Sequence, residues 1–137
     1  MKYLIIFLTL LNLYGFDIKV SVDNLRNSKG VVAFYLYNKD GSIPDKTLSH
    51  YYKKKIAKIE NKKASVIFKN IPKGKYAISA LHDENNNGKI DKGFMLPKEG
   101  IGFTNYQKIN LFNKPNFKNA SFELNKNETK KIKIIYF

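Results

Sequence analysis

Apolar residues recur at every second position in several short runs of this chain, and that period restricts the fold more than any other feature. Ile18, Val20 and Val22 alternate with Lys19, Ser21 and Asp23, and Ala64, Val66 and Phe68 repeat the pattern. Only an extended strand places i, i+2 and i+4 on one face. Residues 31–37 are apolar on both faces, which suits a central strand covered from both sides. Turn chemistry punctuates the runs. Arg26-Asn27-Ser28-Lys29-Gly30 closes the first. Asn70-Ile71-Pro72-Lys73-Gly74 folds the chain into a hairpin, with Pro72 fixing one angle and Gly74 free to take a positive φ. Asn125–Glu128 separates two further strands, over 117–124 and 129–137. Residues 45–63 show no clean period of two, which predicts a short helix or a long crossing loop. Residues 94–112 are irregular. About six or seven short strands with little helix describe a single antiparallel β-sandwich.

The N-terminus has a separate role. Lys2 is followed by an apolar run through Leu13, of signal-peptide length and too short to cross a bilayer as a helix. Residues 1–15 are therefore expected to be a Sec-type leader and 16–137 the folded domain, located in the periplasm or secreted. The competing expectation is an uncleaved, membrane-associated helix, since Leu13 stands where a small residue is preferred. The chain has no cysteine, so a lipid-anchored form is excluded, and an exported domain without disulfides must rely on packing, or on packing plus a metal.

Charge bears on partners. The leader removes only Lys2, leaving 24 basic against 11 acidic residues, or +13. Nine lysines against the single acid Glu60 lie between Lys53 and Lys75. Such a run is ordinarily a solvated face, and otherwise a contact for anionic lipid or polysaccharide. Arginine, the usual reader of phosphates and bases, occurs once, at Arg26, and the lysine and asparagine bias runs along the whole chain, so nucleic acid is not an expected partner.

One stretch departs from this lysine-rich background. Ala80-Leu81-His82-Asp83-Glu84-Asn85-Asn86-Asn87-Gly88-Lys89-Ile90-Asp91 carries the spacing D-x-N-x-N-G-x-x-D. Calcium takes roughly six to eight hard oxygens, and a loop can supply them from positions 1, 3, 5, 7 and 9 with a sharp turn at 6. Those positions fall on Asp83, Asn85, Asn87, the Lys89 carbonyl and Asp91, with Gly88 at the turn. Position 12 is Phe94 in place of a bidentate glutamate, and a strand precedes the loop, so an EF-hand is excluded. Glu99 is the candidate for a closing ligand. Glu84 and Asn86 alternate with the proposed ligands and are expected to point outward. The competing reading is an Asx-rich turn whose side chains satisfy their own backbone. A bound calcium would act as a weak structural staple, because few formal charges face a strongly basic chain.

Other chemistry finds little support. His82 shares a strand face with Tyr76, Ile78 and Ala80, which predicts a packed, hydrogen-bonded histidine that helps order the loop. His50 has no evident partner. His82 and Asp83 are adjacent on a strand and point to opposite faces, which argues against a triad. Glu84, Glu99 and Glu123 are too scattered to pair as acid and base. The expectation is a non-enzymatic domain.

The series His82-Asp83-x-Asn85-x-Asn87-Gly88-x-x-Asp91, followed by Pro97-x-Glu99-Gly100-x-Gly102-Phe103, resembles the DUF2141 family of exported bacterial proteins of unknown function. The opening Val22–Gly30 strand and turn fits the same family, so the resemblance spans nearly all of 16–137. Ile101 and Thr104 depart mildly from the family pattern. The Asn70-Ile71-Pro72-x-Gly74-x-Tyr76 hairpin is also similar to transthyretin-like and carboxypeptidase-regulatory sandwiches. The resemblance implies an immunoglobulin-like or transthyretin-like sandwich associated with the cell envelope, in which the loop and the Glu99–Phe103 segment act together. It brings no catalytic residues.

Overall fold

The computed structural model describes residues 15–90 and 99–137. Apart from Gly15, the expected leader lies outside them. Eight strands and one four-residue helix follow in the order β1 (Phe16–Val22), β2 (Val31–Tyr37), β3 (Lys53–Lys58), β4 (Ala64–Ile71), β5 (Gly74–Asp83), β6 (Gly100–Phe103), α1 (Phe117–Ala120), β7 (Phe122–Leu124) and β8 (Glu128–Lys131). They form two sheets. One has three strands in the order β4-β1-β8, and the other is β3-β2-β5-β6, with β7 also pairing β5. The protein is nearly all β and sandwich-like.

The alternation becomes the core. Ile18, Val20 and Val22 from one sheet meet Phe34, Leu36, Ile78 and Ala80 from the other, and all are buried. Strand β2 is covered on both faces, as its sequence predicts: Ala33, Tyr35 and Tyr37 enter a second apolar cluster with Leu81, Phe103, Tyr106 and Phe117. This second cluster lies on the outer face of the larger sheet, beneath loops and α1. Asn116 caps that helix, its side chain accepting from the Asn119 N–H at 2.8 Å.

Several expectations change. The sandwich is not wholly antiparallel, because β8 runs parallel to β1, with Ile18 opposite Glu128 and Ser21 opposite Lys131. Period two is the same in either direction, so the sequence carries no sign of this. The expected strand over 129–137 pairs with β1 only as far as Lys131. The chain then crosses to the other sheet, where Ile135 exchanges backbone hydrogen bonds with Ile101 at 2.9 and 3.0 Å. Gly100 and Gly102 permit that approach: a Cβ on Gly100 would overlap Ile134, and one on Gly102 the Lys133 carbonyl. The strand expected over 117–124 begins as helix α1 and becomes extended only at Phe122. In the Pro72 hairpin the left-handed residue is Asn70 (φ 55°), and Gly74 lacks the positive φ expected of it.

Residues 45–63 contain a strand where a helix or loop was the expectation. Strand β3 reads Lys-Lys-Lys-Ile-Ala-Lys and is the exposed edge of the larger sheet, pairing Lys53 with Leu36 and Ala57 with Val32. An edge strand does not need an apolar face, and lysines along it block pairing with another chain. Two of them lay their ammonium groups near aromatic rings, Lys53 by Tyr52 and Lys54 by Tyr35, each 5.4 Å from the ring centre. No helix among the described residues is long and apolar enough to cross a membrane.

Candidate functional site

Strand β5 ends at Asp83, and the loop begins there. The Asp83 carboxylate is buried and gathers the loop's backbone. One oxygen accepts from the Asn87 N–H at 3.2 Å and the other from the Gly88 N–H at 2.8 Å. The Asp83 carbonyl accepts from Asn86 N–H at 3.2 Å, and the Asn87 side-chain oxygen accepts from Lys89 N–H at 3.0 Å. Two residues turn the chain through the left-handed region, Asn86 (φ 53°) and Gly88 (φ 72°). A Cβ on Gly88 would meet nothing, so glycine is required there by the backbone angle and not by crowding.

Glu99 returns to this loop from across residues 91–98. It is 3 % exposed, and its carboxylate accepts from the Glu84 N–H at 2.6 Å. Two buried carboxylates therefore hold the loop's backbone, Glu99 at Glu84 and Asp83 at Asn87 and Gly88. Of the six residues read as ligands, Asp83 and Glu99 are buried and bonded to the loop backbone, while Asn85, Asn87 and Lys89 lie along its exposed arc. Asp91 is outside the described residues. Among those residues no group of three or more His, Asp or Glu side chains converges as a metal site. An ion here would rely on amide and carbonyl oxygens, which suit calcium. An ionised carboxylate has about four lone-pair positions, and each Asp83 oxygen gives one to a backbone N–H.

Glu84 does not point outward. Its carboxylate pairs with the Arg26 guanidinium, through Nη2 and, at 3.2 Å, through Nε, and accepts from the Asn27 amide at 2.6 Å. Hydrogen bonding to Arg26 holds the Glu84 carboxyl below its usual range, against the opposing effect of partial burial. The 26–30 turn is thereby clamped onto the loop. Gly30 (φ 69°) lies so close that a Cβ would overlap the Asp83 carbonyl.

His82 completes the clamp from the inner face. It is fully buried, with Nε2 2.9 Å from the Lys29 carbonyl and Nδ1 2.7 Å from the Tyr136 hydroxyl. The carbonyl can only accept, so Nε2 carries a proton, and Nδ1 is left to accept from Tyr136. The same hydroxyl accepts from the Arg26 N–H at 3.2 Å, and the Arg26 guanidinium sits 4.6 Å from the Tyr136 ring centre. The packed histidine expected from the sequence is present. Its partners, more than fifty residues away in the chain, are not legible there.

A second aspartate organises the β2–β3 loop. Asp45 accepts from the Tyr37 hydroxyl at 3.0 Å, the Ser49 N–H at 3.1 Å, and the His50 N–H at 2.9 Å, and its Oδ1 lies 3.0 Å from His50 Nδ1. Burial pushes its carboxyl up, but the bonds from His50, Ser49 and Tyr37 outweigh this and leave it below the usual range. His50 thus has the partner its sequence context did not suggest.

Residues 20–133 match the family model described as an uncharacterized protein conserved in bacteria (DUF2141). No curated protein and no solved structure matches the chain.

Proposed function

The chain belongs to the DUF2141 family, and on that footing we propose that it is an exported, non-enzymatic module with a transthyretin-like sandwich, whose 83–91 loop is stapled by calcium. The observation that carries the reading is that two buried carboxylates each accept from the backbone of one loop with calcium-ligand spacing, Asp83 from Asn87 and Gly88 and Glu99 from Glu84. Carboxylate oxygens held at the head of such a loop are hard donors of the kind calcium takes. Asp83 would supply the central carboxylate, Glu99 the closing one, and Asn85, Asn87, the Lys89 carbonyl and Asp91 the remaining oxygens. The ion would order the loop. A non-enzymatic role is supported by the way His82, Asp45 and His50 are each bound into the chain's own framework.

Thermal unfolding in millimolar calcium and in chelator tests this. Wild type should melt higher with calcium, and Asp83→Ala and Glu99→Gln should each lose that difference. An identical melting temperature in calcium and chelator for the wild type would refute the proposal.

A second reading concerns the partner. Lys53, Lys54, Lys55 and Lys58 on β3, and Lys62, Lys63, Lys69, Lys73 and Lys75 on and around β4, are all exposed, and the two strands adjoin. That supports contact with anionic lipid or polysaccharide of the envelope. Binding to anionic vesicles should fall steeply as salt rises. Binding that ignores salt removes this reading.

A further inference from the structure

The outer face of the larger sheet carries a cavity of about 610 Å³ that neither reading above uses. Its size falls within the range of roughly 300–1,000 Å³ typical of small-molecule sites. Tyr37, Ser79 and Phe103 line it from the sheet, and Leu48, Ile109 and Leu111 from the loops. The few polar groups on the sheet side are committed to the chain: the Tyr37 hydroxyl donates to Asp45, and Asp45 takes three further donors from Ser49 and His50. What remains for an occupant is hydrocarbon.

The mouth differs in kind. Lys46 and Lys114, both exposed, line it from opposite loops. Beside them Leu111 is 80 % exposed and Phe112 fully exposed, at the tip of the turn closed by the Asn110 and Asn113 backbones. Adjacent apolar side chains beside lysines at an opening match a ligand that is apolar along its length and negative at one end.

We propose that this cavity binds a single-chain anionic amphiphile of the fatty-acid class. The acyl chain lies over Tyr37 and Phe103, and the carboxylate emerges between Lys46 and Lys114. The apolar interior supplies affinity and the two ammonium groups fix the chain's direction. The lysines concerned are not those of the 53–75 run, so this site is independent of the cationic face, and it does not require calcium.

The test is displacement of a dansyl-labelled undecanoate from the full domain, below micelle-forming concentrations. Dodecanoate should compete saturably, and about tenfold better than dodecyltrimethylammonium, the ratio that one favourable charge contact of about 1.4 kcal/mol gives. The double variant Lys46→Glu/Lys114→Glu should abolish that preference while leaving dodecanol competition as in wild type. Ile109→Trp, which fills the cavity, should weaken dodecanoate and dodecanol together by several-fold. The lysine variants alter only exposed positions, so they remain informative if Ile109→Trp fails to fold. Equal competition by the anionic and cationic amphiphiles, or absence of saturable displacement, overturns the proposal.

Discussion

Two loops of this molecule are each built on a buried aspartate, and they use it differently. Asp45 in the β2–β3 loop takes two backbone N–H groups, a tyrosine hydroxyl and a histidine ring, all from its own stretch of chain or the strand before it. Asp83 at the head of the β5–β6 loop takes two backbone N–H groups, and a second buried carboxylate, Glu99, takes the N–H of the next residue, Glu84. The first is a carboxylate saturated by donors within the chain. The second accepts from backbone N–H groups at two points of one loop, Asn87 and Gly88 for Asp83 and Glu84 for Glu99. The first loop is closed by its own donors, and the proposed calcium would distinguish the second from it.

The largest effect expected from this contrast is at Asp45. Asp45→Ala leaves the Tyr37 hydroxyl buried without its acceptor and frees two loop N–H groups. Bonds to charged groups contribute about 1.5–3 kcal/mol each and are not additive, so a loss of about 3 kcal/mol is expected, equally in calcium and in chelator. Differential unfolding in the two buffers reads this, and a calcium-dependent loss would erase the distinction between the loops. Acid adds a second readout. The Asp45 carboxyl is held below its ordinary value in the folded chain. Its contribution is therefore complete above the unfolded value of about 3.9 and is lost as pH falls through the lower folded value. Asp45→Asn should flatten the stability profile in that acidic window and leave its neutral side unchanged in shape.

Next is Gly30→Ala. This residue combines φ 69° with direct contact on the Asp83 carbonyl. A side chain there is strained by its backbone angle and collides with backbone that cannot step aside, so a cost of about 2 kcal/mol is expected. The calcium-dependent part of the stability should fall with it, because the turn clamps the loop. If Gly30→Ala lowers the melting temperature while the calcium shift stays whole, the Asp83 loop is organised without the turn.

The two loops were unequally legible in the sequence, for a physical reason. Asp83, Asn87 and Gly88 interact within five residues, so spacing alone places them together, and Glu99 belongs to a motif that spacing could reach. Asp45 has an equally local reach to Ser49 and His50, but no ordered series of oxygen donors marks it, and its Tyr37 contact depends on how β2 enters the loop. The Arg26–Glu84 pair joins residues 58 apart and needs the fold before it can be seen. Likewise β3 was hidden because an edge strand can do without the alternation by which strands are recognised, whereas β1, β2 and β4 were plain because each must bury a face.

Calcium itself should have a smaller effect than Asp45→Ala, and one comparable to Gly30→Ala. Extracellular loops commonly bind it with dissociation constants of about 10⁻⁴–10⁻³ M. At an ion concentration ten to a hundred times that constant, the linked stabilisation is about 1.4–2.7 kcal/mol. Magnesium prefers tighter octahedral geometry and gives up its water reluctantly, so it should shift the melting temperature less at equal concentration. A larger shift with magnesium would mean that the site is not the flexible, amide-rich loop described above.

The smallest effect separates the loop's carboxylates from one another. Glu84 lies between Asp83 and Asn85, yet it is occupied by Arg26 and Asn27. Arg26 is substantially exposed, at 43 % of its side chain, so solvent screens the pair, and Glu84→Gln should cost less than about 1 kcal/mol. It should also leave the calcium shift intact, whereas Glu99→Gln, whose carboxylate holds the Glu84 N–H, should remove it. Raised salt should narrow the gap between wild type and Glu84→Gln, since a partly exposed ion pair is weakened by counterions. Should Glu84→Gln abolish the calcium shift instead, Glu84 is a ligand, Arg26 is its competitor, and the division of labour between the clamp and the ion site must be redrawn around that residue.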